Sequence, residues 1–168
     1  MERVNLGDTG AFAQLYDRHR SRLFSFVARL TQDRGLAEEL LQEAFLRVWR
    51  RRREYRASGR FPNWLFTIAR RLVIDDARKE ANEVHSSEVL DALSAPDRTE
   101  AATEASDLLA RLEKAVDRLP PGQREVLLLS RVAGLGAEDI ADVVGSTPGA
   151  VRVALHRALK QLRASIDG

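Results

Sequence analysis

The sequence predicts an all-α protein of two small helical domains joined by a flexible linker. Three observations lead there. Apolar residues recur at intervals of three and four through most of the chain, and no stretch alternates like a strand. Residues 81–103 break that rhythm with an acidic, Ser- and Ala-rich run that contains Pro96. The 168 residues suffice for one ordinary domain or two small ones.

The elements follow in chain order. Over residues 9–30, Phe12, Leu15, Tyr16, His19, Leu23, Phe26, Val27 and Leu30 mark one face of an amphipathic helix. Asp8 or Thr9 can cap its start, because a short side-chain oxygen accepts an N–H group of the first turn. A second helix is expected over 36–53, introduced by Asp33 and Gly35. Its apolar positions, Leu36, Leu40, Leu41, Ala44, Phe45, Leu46, Val48 and Trp49, form a stripe wider than one core contact requires. After the turn-prone Ala57-Ser58-Gly59, Pro62 suits the first turn of a third helix, where its missing N–H would have no partner. Trp64, Leu65, Ile68, Leu72 and Ile74 mark the apolar side of that helix to about residue 79. Within the linker the sequence suggests only a short helix near 88–93.

Beyond the linker a helix over 104–119 should stop at Pro120-Pro121. Next come a helix over 123–132, a Gly134-Leu135-Gly136 turn, a short helix over 137–144 and the turn Gly145-Ser146-Thr147. The last helix runs from 148 to about 166, with Thr147 as its cap and Pro148 as its first residue.

Composition excludes several classes of function. The chain has no cysteine, and His19, His85 and His156 lack ligand-like spacing, so no metal site and no cofactor are expected. No apolar run reaches membrane-spanning length and the N-terminus lacks the basic-then-apolar order of a secretory signal, which places the protein in the cytoplasm. Asp75-Asp76 and Glu38-Glu39 are paired carboxylates, but neighbours on a helix point about 100° apart and do not converge as acid and base. The chain is therefore read as non-enzymatic.

The net charge of +2 hides an asymmetry. Residues 47–80 carry eleven basic against four acidic residues, and 81–117 carry three against nine. The flanking stretches 1–46 and 118–168 come to −1 and +2. Basic blocks on either side of an acidic one suggest two anion-binding surfaces joined by a segment that avoids the same anion.

Residues 134–162 have the layout of a helix-turn-helix, in which the second helix enters the major groove. Ile140, Ala141 and Val144 should face inward, Gly145 supplies the left-handed turn residue, and Val151, Leu155, Ala158 and Leu162 form the next core stripe. Left outside are Gly149, Arg152, Val153, His156, Lys160 and Arg163. Such a face offers Arg to guanine edges, Val to a thymine methyl, and Lys or Arg to phosphates. In residues 47–79, arginines alternate with Trp49, Phe61, Trp64 and Phe66, a mixture suited to an opened strand, although aromatics of this kind more often fill small helical cores. The excess apolar surface over 36–49, edged by Glu38, Glu39, Gln42 and Glu43, fits either a docking surface for a partner protein or a helix buried on two sides. On these grounds alone a repressor or activator of duplex operators, or a protein-binding adaptor, stays open.

The stretches AEELLQEAFLRVWR (37–50) and WLFTIARRLVIDDARK (64–79) resemble the promoter-melting domain, sigma region two, of the extracytoplasmic-function bacterial sigma factors of the sigma-70 family. Residues 119–163 resemble that family's reader of the upstream promoter element, sigma region four, and the two matches in this order cover nearly the whole chain. The resemblance implies an alternative sigma factor with domains at 1–80 and 104–168 and a tether at 81–103. It implies that Glu39, Leu40, Gln42, Glu43 and Phe45 dock on bacterial core RNA polymerase. It assigns Trp64, Arg70, Arg71, Arg78 and Lys79 to the melted minus-ten element of promoter DNA, and Thr147, Gly149, Arg152, Val153, His156, Arg157 and Lys160 to the minus-thirty-five element. It also implies control by an anti-sigma factor. Gly136 stands where members often carry a Ser or Thr cap, and Val153 where a polar residue is common.

Overall fold

Asp8 starts the first long helix as expected, its carboxylate accepting the Ala11 N–H at 2.8 Å. The computed structural model describes residues 1–56, 60–84 and 104–167, and every regular element among them is helical. A short α1 (Glu2–Asn5) precedes α2 (Thr9–Thr31), α3 (Arg34–Arg50), a 3-10 turn (Arg52–Glu54) and α4 (Phe61–Val84). The C-terminal half holds α5 (Glu104–Asp117), α6 (Pro121–Arg131), α7 (Ala137–Val144) and α8 (Pro148–Asp167).

Local chemistry sets these boundaries. Asp33 caps α3 by accepting the Leu36 N–H at 3.0 Å, and Thr147 Oγ1 accepts the Ala150 N–H at 3.2 Å at the start of α8. Gly145 ends α7 with φ +69°, a left-handed conformation that a Cβ disfavours. Gly136 gives α7 no side-chain cap, as its residue type dictates.

Differences from the expected elements are small and have physical causes. Helix α3 stops at Arg50, and the chain tightens into the 3-10 turn, where the Arg52 guanidinium donates to the Trp49 carbonyl and lies over its ring. Helix α4 continues to Val84, past the expected limit near residue 79, because nothing in its polar last turns breaks a helix. Pro121 rather than Gln123 opens α6, with Pro120 as the cap residue. Helix α1 is four residues long, too short to leave a periodic signal. The turn expected at 57–59 and the short helix near 88–93 lie outside the described residues.

The cores explain how the halves are held. Leu23, Phe26 and Val27 of α2, Ala44, Phe45 and Val48 of α3, and Leu65, Phe66 and Ala69 of α4 are buried together. Phe26 and Phe66 meet edge to face at 5.3 Å, an arrangement that adds about 1 kcal/mol to what burial of the rings supplies. The same apolar cluster runs on into the C-terminal half through Val126, Leu128, Leu129, Ala133, Leu135, Ile140 and Val143. A second cluster, Ala115, Leu119, Leu127, Ala158 and Leu162, is formed by α5, α6, α8 and the turn between α5 and α6. Helix α6 thus serves two cores, Leu127 facing one and Val126, Leu128 and Leu129 the other.

Two expected core positions shift. Val143 is buried and Val144 only half-buried, because α7 packs against both α4 and α8. Leu155 is half-buried and lies between the two clusters.

Candidate nucleic-acid interface

Three surfaces emerge from these helices. The first is the outer face of α8. Val151, Ala158 and Leu162 anchor the helix inward, which leaves Gly149, Arg152, Val153, His156, Arg157 and Lys160 exposed. Thr147 is exposed as well, its hydroxyl occupied with the cap. Val153 keeps 49% of its surface, an apolar spot that solvent alone does not favour. Glu138 of α7 accepts a 2.7 Å hydrogen bond from Arg152, with both side chains well exposed. The guanidinium is steered but not withdrawn.

The second surface is α4. Trp64, Arg71 and Arg78 recur every seven residues and so share a side of the helix, with Lys79 next to Arg78. Arg71, Arg78 and Lys79 are exposed. Trp64 is half-buried, packed by Tyr55 at 5.4 Å and Phe61 at 6.3 Å between ring centroids. Phe61 and Phe66 are buried, so neither is available to stack on a base. Arg70 points elsewhere, and its Nε donates to Glu125 of α6 at 2.6 Å. Burial raises the pKa of the Tyr55 phenol. His19 lies 5.2 Å from the Phe61 ring, and burial, aided by Arg18 and Arg22, lowers its pKa.

The third surface is the exposed edge of α3. Glu39 and Gln42 lie open, and Glu43 is half-buried in a 2.7 Å pair with Arg47. Leu40 and Phe45, also expected on the docking edge, are buried, Phe45 against Phe12 and Tyr16. The apolar residue offered on this edge is Leu46, which keeps 44% of its surface. Its signal in the sequence was the over-wide stripe; the stripe alone did not say which member would be left outside.

The described residues contain no cluster of His, Cys, Asp and Glu able to hold a metal ion, and no described helix is long and apolar enough to cross a membrane.

Comparison with known proteins agrees with this layout. Residues 15–83 match the family model of sigma-70 region 2, and residues 109–162 match that of sigma-70, region 4. The chain is 36% identical over 167 residues to the RNA polymerase sigma factor CarQ of Myxococcus xanthus, covering 97% of this chain and 93% of that protein. It is 34% identical to the ECF RNA polymerase sigma factor BldN of Streptomyces coelicolor, over 96% of this chain and 62% of that protein. In fold it is similar to the sigma factor RpoE solved with the anti-sigma factor NepR from Bartonella quintana, with a TM-score of 0.77 at 24% identity over 94% of this chain and 97% of that one. CnrH, solved with the cytosolic domain of CnrY, gives a TM-score of 0.73 at 23% identity over 99% of this chain and 94% of that one.

Proposed function

The chain belongs to the sigma-70 family of RNA polymerase sigma factors, in its extracytoplasmic-function class, and directs transcription initiation; from that premise we propose how its surfaces divide the work. Residues 1–80 dock on core polymerase and hold the melted minus-ten element, 81–103 tether, and 104–168 read the minus-thirty-five element. The observation that carries this division is the outer face of α8, where Arg152, Val153, His156 and Lys160 stand exposed on a helix anchored by a buried opposite side.

On α3 the docking contacts are Glu39, Gln42, Glu43 and Leu46, with Leu40 and Phe45 supporting them from the core. On α4 Arg71, Arg78 and Lys79 supply the charge for a displaced strand, and the edge of Trp64 supplies a flat surface. Each DNA contact is weak alone. Polymerase fixes their spacing and makes the second contact intramolecular, which raises its effective concentration to the millimolar range. The protein performs no bond chemistry and works in the cytoplasm. RpoE is solved with the anti-sigma factor NepR, and an anti-sigma factor competing with polymerase is the corresponding partner here.

The test is reconstituted transcription, with the purified chain and bacterial core polymerase on a pool of promoter fragments. Chain-dependent starts that share two spaced upstream elements are expected. Tight duplex binding without new starts would instead identify a duplex-only regulator.

A further inference from the structure

Helix α7 packs on α8 through buried apolar residues, with Ile140, Ala141, Val143 and Val151 in one cluster. Outside that contact, one ion pair among the described residues joins the same two helices: Glu138 Oε1 accepts from Arg152 Nη2 at 2.7 Å. Both side chains are open to water, and a pair so exposed adds little to stability. The buried cluster already fixes the two helices, so holding the fold does not account for a carboxylate at this point.

Charge makes its position unusual. Residues 148–166 carry Arg152, Arg157, Lys160 and Arg163 and no acidic residue. On a helix that meets DNA, a carboxylate beside one of these cations works against the general attraction to phosphates. Helix α7 also sorts its two first-turn acids. Asp139, about 100° round the helix, is taken by Arg60 at 3.1 Å and Asn63 at 2.7 Å, whereas Glu138 reaches to α8. Room for Glu138 comes from Gly136, which brings no side chain to the start of α7. A Cβ added there would lie 4.0 Å from Glu138 Oε2, and a serine or threonine would set a competing donor beside that oxygen.

The guanidinium keeps donors in reserve. Glu138 takes one nitrogen, and Arg152 has no other partner among the described residues. An arginine fork has five N–H groups, so enough remain for the two parallel bonds that guanine N7 and O6 accept. An untethered arginine samples many rotamers and pairs with phosphate or base alike; one prong tied to α7 narrows that choice. We propose that Glu138 is a positioning residue for promoter reading. It presents the Arg152 guanidinium to a base edge and offsets its pull on phosphates, so that Arg152 contributes discrimination at one base rather than general attraction. The proposal rests on the reading of α8 as the minus-thirty-five surface.

The test uses holoenzyme assembled from the full chain and core polymerase, on the preferred promoter and on fragments each changed at one base of the upstream element. Relative promoter strength is read by run-off transcription, and promoter binding by anisotropy of the fluorescein-labelled fragment over a salt series. Glu138→Ala should shrink the preference at the base that Arg152→Ala flattens by about three- to tenfold, the effect of releasing one ordered long side chain. Ratios at the other bases should hold, and so should the melting temperature. The slope of log K against log salt should steepen by about one, because Arg152 becomes free to pair with a phosphate. In the Arg152→Ala background, Glu138→Ala should leave every ratio as it is. An undiminished preference at that base, an unchanged salt slope, or an effect on the ratios that persists without Arg152 would each overturn the proposal. Equal weakening on every promoter with a lower melting temperature would also overturn it, by marking Glu138 as structural. These results leave the reading of α8 standing. If Arg152→Ala itself keeps every ratio intact, that reading falls and takes the proposal with it.

Discussion

Replacing Arg152 with alanine separates the fold of α8 from its reading of DNA. The side chain is well exposed and its one ion pair, to Glu138, is 60% and 73% exposed at its two ends. Such a pair contributes well under about 1 kcal/mol, and the better helix propensity of alanine returns a few tenths. Folded stability should therefore change by less than about 0.5 kcal/mol. A guanidinium that reads a base in two-pronged fashion contributes about 1–3 kcal/mol of discrimination, which is about five- to 150-fold in relative promoter strength. The DNA effect must exceed the stability effect. The assay is run-off transcription by holoenzyme on the preferred promoter and on variants each changed at one base of the upstream element. Arg152→Ala should flatten the ratio at one base, leaving core binding and the melting temperature unchanged. Loss of core binding, or equal weakening on every promoter with the ratios intact, would refute base reading by this residue.

Leu46→Glu should abolish pull-down with core polymerase without lowering the melting temperature, because the side chain is already 44% exposed; a protein that still binds core would remove Leu46 from the docking edge. Gly145→Ala should destabilise the chain by about 1 kcal/mol by calorimetry, since φ is +69° and no atom stands within 4 Å of the added carbon, so only backbone strain contributes. Phe66→Ala removes a ring that is 1% exposed and packed on Phe26, and should cost about 3–5 kcal/mol in urea unfolding, enough to unfold a small helical half. His19, with its pKa lowered mainly by burial, contributes stability that is present above its ordinary value of 6.5 and lost as pH falls through and below it. Melting temperatures between pH 7.5 and 5.5 should fall, and His19→Gln should lessen that fall; an identical slope would exclude this histidine as the cause.

Sequence patterning announced the helices wherever capping chemistry and periodicity agreed. Asp8, Asp33 and Thr147 each cap the helix they precede, and Gly145 takes the left-handed turn. Patterning failed where an apolar residue has two places to go. Leu40, Phe45 and Leu46 all belong to one stripe, yet only the packing of α2 against α3 decides that the first two turn inward and Leu46 stays outside. Trp64, Phe61 and Phe66 divide in the same way, and the bland expectation for aromatics, that they fill a core, holds for the two phenylalanines. Arg70 was indistinguishable from Arg71 by residue type. A hundred degrees of helix rotation sends one to Glu125 and the other to solvent. That partner lies 55 positions away in sequence, and no local pattern encodes it.

The double allegiance of α6 bears on how such proteins can be recombined. Leu127 closes the core that α5 and α8 share, while Val126, Leu128 and Leu129 extend the one that begins in α2 and α4. A hybrid spliced between residues 81 and 103, with its second half taken from a relative, would inherit that relative's promoter address through the last helix. Its α6 would also bring foreign side chains to the seam with α2 and α4. Grafting α8 alone onto the native α5–α7 scaffold keeps that seam intact, so retargeting and interdomain fit become separable engineering choices.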